Sequence, residues 1–254
     1  MSEGWREGGF RASRAPQGRD AQRQSEQPER VGLVGATGLI GSTLIQISRA
    51  SDVARMVGIA RREIEMPEGA RMELFVADPE KWGEVLAAVR PHALICALGT
   101  TWRKAGRTEE GFRAVDQDLI VETARSAKEA GVSNLVLISA AGADPRSKNL
   151  YLRVKGETEI LVAAQKFKRL DILRPGLLRG QRVGDFRFLE RLALAMSPVI
   201  EPLLPQRYAA FRSVGSQLVA EAALGLAMRR AAGRFIHDNE AMRRAAREWR
   251  TRSE

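Results

Sequence analysis

Val31-Gly32-Leu33-Val34-Gly35-Ala36-Thr37-Gly38-Leu39-Ile40-Gly41 is an apolar run, then glycines at three-residue spacing, then the start of a second apolar stretch. Strand, turn and helix follow in that order. Gly35 suits a tight turn off the strand, Gly38 lets backbone come close to a ligand, and Gly41 lets the helix lie against the sheet. The amides of Thr37, Gly38, Leu39 and Ile40 open the helix and have no intrahelical acceptor, so they and the helix dipole suit an anionic diphosphate. The spacing is G-x-x-G-x-x-G, one residue longer than the G-x-G-x-x-G dehydrogenase turn. At the head of an α/β pattern it predicts a bound dinucleotide.

Outward from this turn, short aliphatic runs alternate with longer segments of helical period. Strands are predicted at Val31–Val34, Arg55–Ile59, Met72–Val76, Ala93–Leu98, Leu135–Ser139 and Asp171–Arg174, with a weak one at Arg234–Ile236. Helices are predicted at Leu39–Ala50, Pro79–Val89, Gly111–Ala130, Leu150–Phe167 and Ser216–Arg230. In the third of these, Phe112, Val115, Leu119, Thr123 and Ala127 form the expected inward stripe. The cadence describes right-handed βαβ units, hence a Rossmann-like α/β fold: a doubly wound parallel sheet with helices on both faces. One such domain is expected over residues 30–239, with a small helical substrate or cap region at about 177–215. Residues 1–29 are polar and nearly free of aliphatic side chains, which predicts a disordered tail. Residues 240–254 predict a basic helix with Met242, Ala245, Ala246 and Trp249 on one stripe. Such a helix either docks on its own domain or lies on a membrane surface, and the first is favoured.

The chain has 254 residues, a formal net charge of +10 and one cysteine, Cys96. A lone cysteine excludes an intrachain disulfide, and with only His92 and His237 beside it no zinc site is expected. Most of the cationic excess is arginine scattered along the chain, without the aromatic interleaving of a nucleic-acid reader, so no specific nucleic acid is expected. No apolar run is long enough to cross a bilayer. The acids Glu3, Glu7, Asp20, Glu26 and Glu29 argue against a transit peptide. Together these features predict a cytoplasmic protein, monomeric or homodimeric, that acts on a small molecule of unread identity.

The second strand ends Gly58-Ile59-Ala60-Arg61-Arg62, with arginines where an NAD-specific site carries an acid for the ribose hydroxyls. Two guanidinium groups fit a 2′-phosphate in charge and fork geometry. The expected cofactor is therefore NADP(H) in preference to NAD(H). Asp78, past the third strand, either contacts the adenine amino group or caps the helix that starts at Pro79. Leu98, at the end of the fourth predicted strand, with Gly99 and Thr100 past it, completes the predicted cofactor contacts, because ligands of open sheets lie beyond the strands' carboxyl ends. Tyr151 and Lys155 stand four residues apart on one helix face. A neighbouring ammonium stabilises a phenolate, which suits proton exchange with a carbonyl or alcohol.

At these residues the chain resembles the short-chain dehydrogenase/reductase superfamily, in the atypical branch with the longer glycine spacing. It looks closest to the Tat-interacting-protein (metastasis-suppressor) subgroup. The likeness is carried by Cys96-Ala97-Leu98-Gly99-Thr100-Thr101, Lys104-Ala105-Gly106, Gly111-Phe112 with Val115-Asp116, and Ser139 with Gly142-Ala143-Asp144. It continues through Leu150-Tyr151-Leu152, Val154-Lys155-Gly156-Glu157 and Leu173-Arg174-Pro175-Gly176. It spans about residues 31–182 and implies a Rossmann fold, bound NADPH and Tyr151 with Lys155 as the active pair. Two departures stand out. Ala140 occupies a place where the subgroup usually has serine, so Ser139 either polarises the substrate carbonyl or faces the core. Asp116 stands at the superfamily's asparagine. The expected activity is hydride transfer to or from a carbonyl or alcohol, with Tyr151 as acid/base. The alternative is an NADPH-binding regulatory or scaffold protein with little turnover.

Overall fold

The computed structural model describes residues 29–49, 54–70, 72–179 and 213–253. The predicted disordered tail (except Glu29) and most of the 177–215 cap region lie outside the described residues. Seven parallel strands form the main sheet: β1 (Glu29–Val34), β2 (Ala54–Ala60), β3 (Met72–Val76), β4 (Ala93–Cys96), β5 (Asn134–Ile138), β6 (Arg169–Leu173) and β9 (Gly233–His237). Their order is β3-β2-β1-β4-β5-β6-β9. A two-stranded parallel pair, β7 (Leu178–Arg179) with β8 (Val214–Gly215), stands apart. The chain runs outward from β1 to β3, then returns to place β4 on β1's other side. The direction of winding therefore reverses between β1 and β4, which is where such sheets bind ligands.

Parallel strands covered on both faces read as continuous apolar runs. β4 (ALIC) is buried at every position, as are β5 and β6. On one face, α1 (Leu39–Ile47), α6 (Ser216–Ala227) and α7 (Asn239–Ser253) bury Leu44, Val219, Leu226 and Trp249 against Val31 and Leu33. On the other, α2 (Trp82–Val89), α4 (Ile120–Glu129) and α5 (Leu150–Ala163) bury Trp82, Leu86, Ile120 and Val162 against Leu94 and Leu135. A buried polar cluster joins β6 to β9. Arg169 grips Asp171 through two nitrogens, at 2.6 and 2.8 Å, and His237 Nε2 donates to the same carboxylate at 2.7 Å. Arg169 also lies 4.4 Å over the Phe235 ring. Pairing satisfies charges that would be costly to bury alone.

The long predicted helix at Gly111–Ala130 differs in detail. It begins at Glu109 with the Thr108 side chain accepting from the Gly111 amide, runs as α3 (Glu109–Arg113), and widens into a π-helical segment at Ala114–Leu119 before α4. The wide turn rotates the following residues, so Asp116 and Ile120 are buried while Val115 and Leu119 are only half-buried. A 3.6-residue period cannot anticipate such an insertion. Other differences are terminal. β4 stops at Cys96, α5 at Ala163 and α6 at Ala227, while Pro79–Lys81 is a 3-10 turn ahead of α2. α7 is no appendage: Met242, Ala245, Ala246 and Trp249 are buried in the same core as β1. Among the described residues, no helix is long and apolar enough to cross a membrane.

Candidate functional site

The glycine turn sits at the β1/β4 reversal. Gly35 has φ +87°, and a Cβ there would lie 2.4 Å from the Ala97 carbonyl oxygen and 2.7 Å from the Leu98 nitrogen. Only glycine accepts both the left-handed backbone and that approach. A Cβ on Gly41 would meet the Gly35 oxygen at 2.2 Å, so the helix lies directly on the turn. Gly38 is the N-cap residue of α1, extended and without a side-chain cap. The first-turn amides behind it therefore have no capping side chain as acceptor, while Thr37 is exposed and Leu39 and Ile40 are buried. Backbone donors at a helix start, stripped of Cβ atoms where β1 reverses to β4, form a cradle that fits a dinucleotide's diphosphate.

Arg61 and Arg62 follow β2 directly and both are exposed at the strands' carboxyl edge. Asp78 is exposed past β3 and occupies the N-cap position before Pro79, but its side chain makes no cap hydrogen bond. Of the two roles open to it, capping is not used.

Tyr151 and Lys155 are brought together with the loop past β4. α5 starts at Asn149, whose side chain accepts from the Leu152 amide. Tyr151 is exposed, its ring 5.9 Å from that of Phe112. Lys155 is buried, and its Nζ lies 2.8 Å from Asp116 Oδ1. The other carboxylate oxygen accepts the Thr100 amide at 2.7 Å. A Cβ on Gly99 would rest 3.5 Å from Asp116 Oδ1 and 4.0 Å from Lys155 Nζ. Thr158, one turn along α5, donates to the Asp116 carbonyl at 2.9 Å. The π-helical turn, the β4 loop and α5 thus meet at one carboxylate. Burial alone would push the Lys155 ammonium down; the Asp116 carboxylate, with the Tyr151 phenol, more than offsets this, and the pKa lies above the ordinary lysine value. Lys155 is therefore a fixed cation one helical turn from Tyr151.

Ser139 is elsewhere. Its amide donates to the Leu173 carbonyl at 2.8 Å, and its hydroxyl donates to Glu159 Oε1 at 2.5 Å. Glu159 also binds Arg174 through both guanidinium contacts, at 2.9 and 2.5 Å. The hydroxyl is committed to this buried triad, the core-facing arrangement of the two open to it. Glu159 was not singled out from sequence, because a glutamate inside a helix carries no sign that it will be buried. Gly156, which carries part of the resemblance, has a steric role that sequence reading does not give: a Cβ there would lie 2.4 Å from both the Asp144 carbonyl carbon and the Pro145 nitrogen. α5 can only approach the 144–145 turn through that gap. Cys96 is buried, which pushes its thiol up to about 11, so it is no nucleophile.

Residues 35–194 match a family model described as NAD(P)H-binding. The chain is 39% identical over 156 residues to protein FMP52, mitochondrial, of Saccharomyces cerevisiae, covering 60% of this chain and 67% of that one. It is 39% identical over 156 residues to protein HTATIP2 of Rattus norvegicus, covering 60% of this chain and 64% of the rat protein. Two solved structures share the fold. One is MoeE5 with UDP-glucose and NAD (TM-score 0.63, 17% identity, covering 82% of this chain and 74% of the other). The other is the Thermus thermophilus UDP-glucose 4-epimerase with NAD (0.61, 18%, 88% and 83%). These relatives overturn the cytoplasmic expectation, since the FMP52 proteins of S. cerevisiae, Emericella nidulans and Aspergillus niger are named mitochondrial. The acids in residues 1–29 bear on one kind of cleavable leader only, which makes them a poor guide to compartment. The glycine cradle, the buried lysine and these matches agree: the chain belongs to the NAD(P)H-binding family, in the atypical branch of the short-chain dehydrogenases/reductases.

Proposed function

We propose that this protein is an NADP(H)-dependent oxidoreductase that acts on a carbonyl compound or its alcohol, with Tyr151 as the acid/base. The observation that supports the reading is Lys155, one helical turn from the exposed Tyr151, held by Asp116 against the Gly99–Thr100 loop. The bound nicotinamide would supply or accept the hydride. In the reducing direction the carbonyl π bond breaks as its carbon takes the hydride, and the oxygen takes the Tyr151 phenolic proton. Lys155, fixed as a cation, stabilises the phenolate left behind. The amides of Thr37, Leu39 and Ile40 would hold the diphosphate, with Gly38, whose amide donates to the Gly35 carbonyl, leaving room for it, and Arg61 with Arg62 would hold a 2′-phosphate.

A second reading, an NADPH-binding regulatory or scaffold protein, draws on the Ser139 hydroxyl. With that hydroxyl on Glu159 and alanine at position 140, the site has fewer donors for a developing oxyanion. One measurement tests the cofactor assignment that both readings share, and a second separates the readings. In a thermal-shift titration, NADPH should raise the melting temperature more than NADH, and Arg61→Ala/Arg62→Ala should erase the difference. Equal shifts in the parent protein would remove the NADP assignment. Tyr151→Phe should abolish turnover on a carbonyl panel with NADPH affinity unchanged; unaltered turnover would refute the acid/base role, and no turnover by the parent protein would favour the second reading.

A further inference from the structure

Near Tyr151 the structure carries a row of aromatic rings to which the reading above gives no role. Trp82 and Trp249 are buried at 2% and 3% exposure, whereas Trp102 is 47% exposed. Its ring is 6.5 Å from that of Phe112, tilted by 54°, and Phe112 in turn is 5.9 Å from Tyr151 at 50°. Phe112 is buried with Ala105 and Val154. Three rings therefore run from the exposed phenol, over a buried phenylalanine, to an exposed indole.

The loop bearing Trp102 is a built structure. The Ala105 amide donates to the Thr101 carbonyl and the Arg107 amide to the Trp102 carbonyl, each at 2.9 Å, and the Lys104 amide donates to the Thr101 hydroxyl at 3.1 Å. A Cβ on Gly111 would lie 2.2 Å from the Ala105 carbonyl oxygen, so the loop rests directly on α3. Arg107, a non-glycine residue, is held at φ 61°. Such strain persists only where the surroundings over-determine it, and it gathers at functional sites. The outcome is a large apolar side chain fixed half in solvent, two ring-to-ring steps from the phenol.

We propose that Trp102 is a specificity-determining residue: an aryl or conjugated planar carbonyl compound, or its alcohol, stacks against the indole with its oxygen towards Tyr151. The proposal rests on the acid/base reading of Tyr151 for its orientation. Rings select rings because offset and edge-to-face contacts add attraction beyond the area covered, which an alicyclic group of similar size does not receive.

The test uses the full chain with NADP+, which has no hydride to give a ketone, and two probes of similar size, 2-acetylnaphthalene and its saturated counterpart, 2-acetyldecalin. Calorimetry should give the aryl ketone a dissociation constant about tenfold lower than the alicyclic one, within the range of single stacking contacts. Trp102→Ala should erase that preference, Trp102→Phe should retain most of it, and Tyr151→Phe should leave it in place. Equal affinities in the parent protein, binding of neither ketone, or a preference that survives Trp102→Ala would each overturn the proposal. The acid/base reading fails separately, by turnover that survives Tyr151→Phe while the Trp102-dependent preference stands.

Discussion

Asp116 is the residue on which three parts of the site depend. It is buried, it meets Lys155 Nζ at 2.8 Å, and it takes the Thr100 amide at 2.7 Å. Asparagine there would keep the shape and one acceptor but leave the ammonium buried without a counter-charge. Removing one partner of a buried pair costs about 3–5 kcal/mol, against a fraction of that for an exposed one. Asp116→Asn should therefore lower the unfolding free energy by about 3 kcal/mol near pH 7, measured by urea titration. The pH dependence has a definite sign. The folded Lys155 pKa is above its ordinary 10.5, so the pair's contribution is complete below pH 10.5 and lost as pH rises through the folded value. In Asp116→Asn the charge that most favours the ammonium is gone and burial, opposed only by Tyr151 and Cys96, favours the neutral form, so the deficit should narrow as pH rises above 10.5. A deficit that stays constant from neutral to strongly alkaline pH would show that the pair's charge is not its cause.

At the scale of elements, α5 presents Tyr151 and Lys155, and its seating is set by Gly156. Alanine is favoured over glycine in a helix by up to about 1 kcal/mol. Here the new Cβ would sit 2.4 Å from backbone atoms of Asp144 and Pro145. Overpacking costs about 1–3 kcal/mol, so the clash outweighs the propensity. Gly156→Ala should lower the melting temperature and, by moving α5 against the π-helical turn, weaken turnover more than cofactor binding. Gly83 in α2 is the contrast, because a Cβ there meets only the Ser126 side chain at 3.4 Å. Gly83→Ala should be neutral or stabilising. If both variants behaved alike, close approach of α5 to the turn would not be what seats Tyr151 and Lys155.

Across the whole molecule, the covering layers are assembled from distant parts of the chain. α6 presents Val219, Ala220, Ala223 and Ala227 inward, all buried, and a Cβ on Gly225 would meet the Ala245 carbonyl oxygen at 3.0 Å. The small residues let α7 approach, and Trp249 fills the remaining space at 3% exposure. Trp249→Ala should cost about 3–5 kcal/mol, read as a single melting transition at lower temperature. A separate early transition would mean that α7 melts independently of the sheet. The outward side of α7 keeps Arg243, Arg247 and Arg252 in solvent, where they carry part of the +10 charge.

What the residues determined by themselves is local. β-branched runs alternating with helical periods specify a parallel sheet wherever both faces must be covered. Glycines at 35, 38 and 41 specify the turn, because backbone conformation and the absence of Cβ are properties of the residue itself. The strand positions and the Tyr151–Lys155 spacing followed from the same periodicities. Tertiary structure alone decided which polar groups meet: Asp116 with Lys155 through a π-helical turn, Ser139 with Glu159 and Arg174, and Gly156 against the 144–145 turn. Those contacts join residues far apart in the chain, and their energies depend on burial, which no local pattern encodes.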